Sequence, residues 1–232
     1  MNMPVFYDRP AASGSGLTVA PALASWDKAE SAGQIRFATF LGDVSSVVAT
    51  QARTTADPLA LRLDVALKDY VHLLALNDLD NYLFPLVPQL TNHIGRPFTT
   101  VWATKRHGAT SSVAVDEAHA VDDPGGTHSF DVRTTASSET VGYKQQIRDQ
   151  IPAGAPLPEG GITLQLAFVV GPNRNWANLW KPTIDSLGSL LGHDPGAHEW
   201  NPRDGRITTL GLHRTIDPAV GNDVVIAVRA RP

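Results

Sequence analysis

The chain resembles itself across its two halves, and that constrains its fold more than any other feature. Leu59-Ala-Leu-Arg-Leu-Asp-Val-Ala-Leu67 and Ile162-Thr-Leu-Gln-Leu-Ala-Phe-Val-Val170 are apolar, alternating and β-prone, so each predicts a strand. A helical pattern precedes each one. In the first half it runs roughly from Ile35 to Gln51, with Phe37, Phe40, Leu41, Val44, Val47 and Val48 at helical spacing. In the second it is shorter, roughly Ser138 to Ile151. Downstream, Asn81-Tyr-Leu-Phe-Pro85-Leu-Val-Pro-Gln-Leu90 aligns without a gap on Asn178-Leu-Trp-Lys-Pro182-Thr-Ile-Asp-Ser-Leu187. Phe98-Thr-Thr-Val-Trp102 then matches Ile207-Thr-Thr-Leu-Gly211, and each half ends in a further strand, Ser112 to Asp116 and Asp223 to Val228. The offset is 103 at the first strand, 97 at the Asn and 109 at the Thr-Thr, which puts the length changes in loops.

Each half therefore predicts helix, strand, loop, helix and β-hairpin. The expected fold class is α+β: two similar α/β repeats, 1–120 and 121–232, packed as an internal pseudo-dimer. Segment 121–137, with Asp122-Asp-Pro-Gly-Gly126, is the expected joint. Ala11 to Gly16 predicts a flexible loop. At 42% hydrophobic residues the chain has enough apolar material for a core, and no run approaches the roughly 18 apolar residues of a membrane helix. The first ten residues lack a basic segment followed by an apolar one, so the expectation is a cytoplasmic protein without a secretory signal and without a membrane. With no cysteine, disulfides, thiolate metal sites and cysteine nucleophiles are excluded. The net charge of -4 divides evenly, each half being acidic by 2, which argues against a generic polybasic nucleic-acid binder.

The sharpest chemical signal is Asn77-Asp78-Leu79-Asp80-Asn81, at the end of the loop after the first strand. On an extended segment, carboxylates at i and i+2 point the same way and can share a hard divalent cation. Asn81 either caps the next helix or adds an amide oxygen. The same residues also make an ordinary acidic turn before a helix.

Strand, Asp-Leu-Asp-Asn, then a helix with Lys and Pro one turn on, then an Asp-containing loop before a strand, resembles the RusA-type Holliday-junction resolvases. Their motif runs approximately Asp-x-Asp-Asn-x-x-Lys, with an Asp near the helix end and a further acidic pair before the next strand. The resemblance implies a small α/β unit acting as a dimer and a Mg²⁺-dependent (or Mn²⁺-dependent) endonuclease that nicks branched DNA such as four-way junctions. In this chain the family's residues are divided between the halves. The first keeps Asp78, Asp80 and Asn81, but has Phe84 in the Lys position and Gly95-Arg96-Pro97 where the acidic pair belongs. The second has Asn175 and Ala177 for the two aspartates, and keeps Asn178, Lys181, Asp185 and Asp204.

By this resemblance Asp78 and Asp80 are the metal ligands and, with Lys181 and Asp204, the catalytic set. Asn81, Asn178 and Asp185 support it, and Lys181 would stabilise charge on the scissile phosphate. If the loops meet at a pseudo-two-fold axis, one composite site results; if they lie far apart, two carboxylates alone make a poor metal site. The alternative is a catalytically inactive relative that binds nucleic acid or a protein.

Basic residues are few and dispersed. Lys105 and Arg106 at the first hairpin, and Arg203 and Arg206 around Asp204, are the expected phosphate contacts, although hairpin tips carry such residues routinely. His193-Asp194-Pro-Gly-Ala-His198-Glu199 is either a metal-binding group or an exposed turn, and His93 either a replacement ligand or a surface histidine. Trp176 and Trp180 either stack on an unpaired base or pack inside. Phosphate-loop, zincin and nucleophile-elbow motifs are absent.

Overall fold

The computed structural model describes residues 2–23 and 31–232. In chain order the elements are β1 (Phe6–Tyr7), β2 (Ser15–Gly16), α1 (Ala32–Ala52), β3 (Leu59–Leu67), α2 (Leu79–Ile94), β4 (Phe98–His107), β5 (Ser112–Glu117), β6 (Ala120–Val121), β7 (His128–Thr134), α3 (Val141–Arg148), β8 (Ile162–Val170), α4 (Ala177–Asp185), α5 (Gly188–Leu191), β9 (Ile207–Ile216) and β10 (Val224–Arg231). The fold is mixed α+β. One eight-stranded sheet, in the order β2-β5-β3-β4-β9-β8-β10-β7, runs through the molecule, and β1 pairs with β6 apart from it.

Both apolar alternating segments form strands over the expected residues, and alternation decides what each buries. Leu59, Leu61, Leu63 and Val65 of β3 join Leu164, Leu166, Phe168 and Val170 of β8 in a single core. The helices close that core with Phe37, Phe40, Val44 and Val48 from α1, Leu83, Leu86 and Leu90 from α2, and Trp180 and Ile184 from α4. On the other face, the N-terminal strand lays Phe6 against Ala167 and Ala227.

The sheet order reads the same from both ends about the β4–β9 pair. In the first half β3 lies parallel to β4 and antiparallel to β5; in the second, β8 lies parallel to β9 and antiparallel to β10. Both parallel pairs slip register at the same point, between Leu59 and Ala60 and between Ile162 and Thr163. Where β4 meets β9, Trp102 faces Gly211, with Thr100–His213 and Thr104–Thr209 disposed on either side. Gly211 suits this place, because a Cβ would come 3.0 Å from the Trp102 ring and press on it. His213 is wholly buried in this seam between Thr100 Oγ1 at 2.8 Å and Gln165 Oε1 at 3.2 Å. Burial pushes its pKa down to about 3, so it is a neutral structural group.

Several expectations differ from the structure here. The hairpins do not form: β3 separates β4 from β5, and β8 separates β9 from β10. The connections step over the end of the central strand instead, with Gly108 N donating to Leu67 O and Asp217 N donating to Val170 O, both at 2.9 Å. The outer edges of β4 and β9 are thereby free to pair with each other. Aligned on β3 and β8, Ser112 also corresponds to Ala227, a few residues beyond the sequence alignment. Within the expected joint, His128–Thr134 is an edge strand on β10, with Val132 and Thr134 buried. Ser15–Gly16, expected to be loose, pairs with β5.

Candidate functional site

The acidic motif sits where the loop after β3 turns into α2. Asn77 takes a left-handed φ of 63°, a conformation Asn tolerates better than most residues, and its Oδ1 accepts from the Tyr82 hydroxyl at 2.9 Å. Asp78 is the N-cap residue of α2 by position, but its carboxylate accepts from Asn81 Nδ2 at 2.9 Å and caps no backbone N–H. Asp80 already lies inside the helix, so the two carboxylates are not on one extended segment as expected. The positive end of the helix favours an acidic residue in that first turn.

From the other half, the loop before β9 forms a short 3-10 turn, Asp204–Arg206. Arg206 is fully buried and holds this loop to its own half, donating to the carbonyls of Leu157, Pro158, Gly160 and Leu191. Gly205 lets the loop reach the first half, since a Cβ there would come 2.9 Å from the Ala75 carbonyl carbon. The two loops are joined by Lys105, near the end of β4. Its ammonium donates to Leu76 O at 3.0 Å and Asn77 O at 3.2 Å on one side, and to Gly205 O at 2.6 Å on the other.

At the junction, the Lys181 ammonium lies 3.0 Å from Asp204 Oδ2, 3.2 Å from Asp185 Oδ1 and 3.6 Å from Asp80 Oδ2. Asp185 also accepts from Lys144 Nζ at 2.7 Å. Asp80 is 1% exposed, and its Oδ2 has no hydrogen-bond partner. Burial pushes its pKa up to about 7; Lys181 opposes this, while Asp204, Asp78 and Asp185 add to it. Asp78 is raised as well, by burial and then by Asp204, against Lys181 and Lys105. Burial works to lower the Lys181 pKa, but the surrounding carboxylates outweigh it and hold the ammonium charged. Burial lowers the Lys105 pKa against the pull of Asp78, Asp204 and Asp80.

No family model, curated protein or solved structure matches the chain.

The sequence candidates divide into three groups. Asp80, Lys181, Asp185 and Asp204 form one cluster joined by ion pairs, and Asp78 and Asn81 adjoin it. Asn178 is exposed and lines a groove of about 510 Å³ with Asn81, Phe84 and Lys181. The expected phosphate contacts mostly fail. Lys105 and Arg206 are buried and committed to carbonyls, because each spans a gap between loops that sequence adjacency does not reveal. Arg203 pairs with Glu159 at 2.7 Å and Asp194 at 3.5 Å, leaving Arg106 exposed. Among the described residues, no three acidic or histidine side chains gather at metal-binding spacing. His193 and His198 are engaged with the backbone of Glu199 and Trp200, and His93 is exposed. Trp176 and Trp180 are buried and pack edge to face at 4.8 Å, so neither is an open stacking platform. Sequence reasoning missed Lys105 as the link between the loops and Lys144 as the second partner of Asp185.

Lys181→Met removes the common counter-ion of three carboxylates. The Lys181 side chain is 41% exposed, so water offsets part of the loss. The expected cost is about 1–3 kcal/mol at about pH 8 by urea unfolding, shrinking as acid protonates Asp80. A variant as stable as wild type at that pH would show that the cluster needs no counter-ion.

Proposed function

We propose that this chain is a RusA-like, Mg²⁺-dependent (or Mn²⁺-dependent), structure-selective DNA endonuclease, built as a pseudo-dimer of two diverged repeats with one composite active site. The observation that carries the reading is the division of labour in space. Asp78, Asp80 and Asn81 come from one half, Lys181, Asp185 and Asp204 from the other, and all meet in one cluster. The equivalent place on the other side, at Asn175, Ala177, Phe84 and Gly95, has no acidic residue and no Lys. A two-fold dimer presents its site twice; a fused one can keep a single working copy.

The donor types suit a hard divalent cation, whose binding would have to draw together carboxylates that do not stand at metal-binding spacing here. Asp78, Asp80 and Asp204 offer carboxylate oxygens, and Asp80 Oδ2 has no hydrogen-bond partner, with the Lys181 ammonium 3.6 Å away. When bound, such an ion activates a water and stabilises charge on the phosphorus centre. The chain's own residues do the rest. Asn81 fixes the Asp78 carboxylate, Lys105 holds the two loops in register, and Lys181, now paired with carboxylates, would turn to a non-bridging phosphate oxygen. Asp80, with its pKa pushed up to about 7, ionises within the working pH range of a nuclease.

A second reading is supported by the Lys181 ammonium itself, which takes the central place among Asp80, Asp185 and Asp204. A lysine used as a permanent counter-ion suits a catalytically inactive relative that binds branched nucleic acid or a protein. The two readings separate in a cleavage assay on end-labelled four-way junction, flap and plain duplex with Mg²⁺ or Mn²⁺. The nuclease reading expects paired nicks on the junction that disappear in Asp80→Asn. Intact substrate at every metal concentration leaves the binding reading.

A further inference from the structure

The place equivalent to the acidic site has changed its charge. In the sheet, Arg214 lies beside Phe168 as Lys105 lies beside Val65, and these positions correspond in the two halves. Lys105 is drawn into backbone carbonyls, whereas Arg214 turns toward a cavity of about 300 Å³ lined also by Arg174, Asn175, Trp176 and Asn92. Among the described residues, no carboxylate lines this cavity. Two arginines therefore line one cleft with no acidic counter-ion among the described residues.

The Arg214 side chain and the Arg174 backbone are both held in place. The Arg214 guanidinium stacks over the Trp176 ring at 5.5 Å, and the indole is fixed in turn by Phe168 and Trp180. Arg174 follows the end of β8 in a turn closed by its own N–H to Gly171 O at 3.1 Å. Its Nη2 is shut away from solvent with no hydrogen-bond partner, although buried N–H groups are nearly always paired. That nitrogen is a donor without its acceptor, and a turn of the side chain would bring it to the cleft that Arg174 lines.

We propose that this cavity is a phosphate-binding site, in which the guanidinium forks of Arg174 and Arg214 receive the oxygens of one phosphate group with the Asn175 and Asn92 amides beside them. Arginine suits this role because its planar fork matches phosphate geometry, and the cavity has room for about one such group with its sugar. The phosphate comes either from a nucleic-acid strand or from a free phosphate compound; the chemistry is common to both. Within the nuclease reading, the degenerate copy of the active site would have become a second grip on the substrate. The binding proposal itself does not depend on cleavage at the acidic cluster.

The test is titration of the intact chain in EDTA, where no metal-dependent reaction runs, with inorganic phosphate and separately with the dinucleoside monophosphate TpT. Arginine side-chain NMR and calorimetry are the readouts. The expected result is saturable binding of at least one probe, shifts in the Arg174 and Arg214 Nε–H signals, and about tenfold weaker binding in Arg174→Gln and in Arg214→Gln. Arg106→Gln should bind as wild type does. TpT binding alone assigns the site to a strand, and phosphate binding alone to a free compound; either supports the site. No saturable binding of either probe to wild type overturns the proposal. So does binding whose shifts fall on other arginines, a readout that needs no variant to fold.

Discussion

Asp80→Asn is expected to make the metal-free protein more stable at about pH 8, by roughly 1–3 kcal/mol, while removing any cleavage activity. The wild-type carboxylate is buried, has an oxygen with no donor and is ringed by Asp78, Asp185 and Asp204. Its pKa is raised to about 7 when folded, against an ordinary value of about 3.9 when unfolded. Between these values the folded chain holds a proton that the unfolded chain has released, so wild-type stability falls as pH rises from about 4 to about 7. Below that window neither state is ionised at this group; above it both are, and the penalty is constant. The full difference between folded and unfolded chain corresponds to about 4 kcal/mol at most, and the Asn variant gains less because it also gives up the attraction to Lys181. Urea midpoints across pH in EDTA measure the effect. An Asn variant less stable than wild type at about pH 8 would mean that Asp80 is a well-satisfied structural carboxylate.

The opposite sign is expected for Lys105→Met. The substitution keeps the stem but leaves the carbonyls of Leu76, Asn77 and Gly205 without the ammonium that binds all three. Charge-assisted hydrogen bonds are each worth about 1.5–3 kcal/mol, set against the desolvation of a buried ammonium, so the net loss should be about 2–4 kcal/mol. Function should suffer beyond stability, because the lost bonds tie the Asp78–Asp80 loop to the Asp204 loop. The informative measurement is hydrogen exchange at residues 74–78 and 203–206 well below the unfolding midpoint. Both loops should open together; protection unchanged in both would show that Lys105 does not couple them.

What could be read from the sequence follows from which interactions are local. Alternation over Leu59–Leu67 and Ile162–Val170 locates two strands, because a half-buried strand must place every second residue in the core. Pairing is not local. Ser112–Glu117 follows Phe98–His107 closely enough to suggest a hairpin, yet its partner is β3, because the free edge of β4 is used by β9. The same limit applies to charge. Lys105 and Arg206 look like surface residues until the sheet brings carbonyls of distant loops around them. Asp78 and Asp80 stood out by spacing, and Lys181 and Asp204 only through the resemblance to RusA-type resolvases, but their meeting across the halves depends on the antiparallel β4–β9 pair, which sets the end of β4 beside the start of β9. Arg174 and Arg214 gave no motif at all, since their shared cavity exists only once that sheet is assembled.

A single active site assembled from both halves of one chain requires carboxylates from each half. Initial nicking rates on a labelled four-way junction with Mg²⁺ put that requirement to the test, comparing wild type, Asp80→Asn and Asp204→Asn, the two variants also mixed in equal amounts. Each variant should lose about a hundredfold or more, and mixing should restore nothing, since no chain in the mixture has both carboxylates. An Asp204→Asn protein that nicks at the wild-type rate would contradict the composite site.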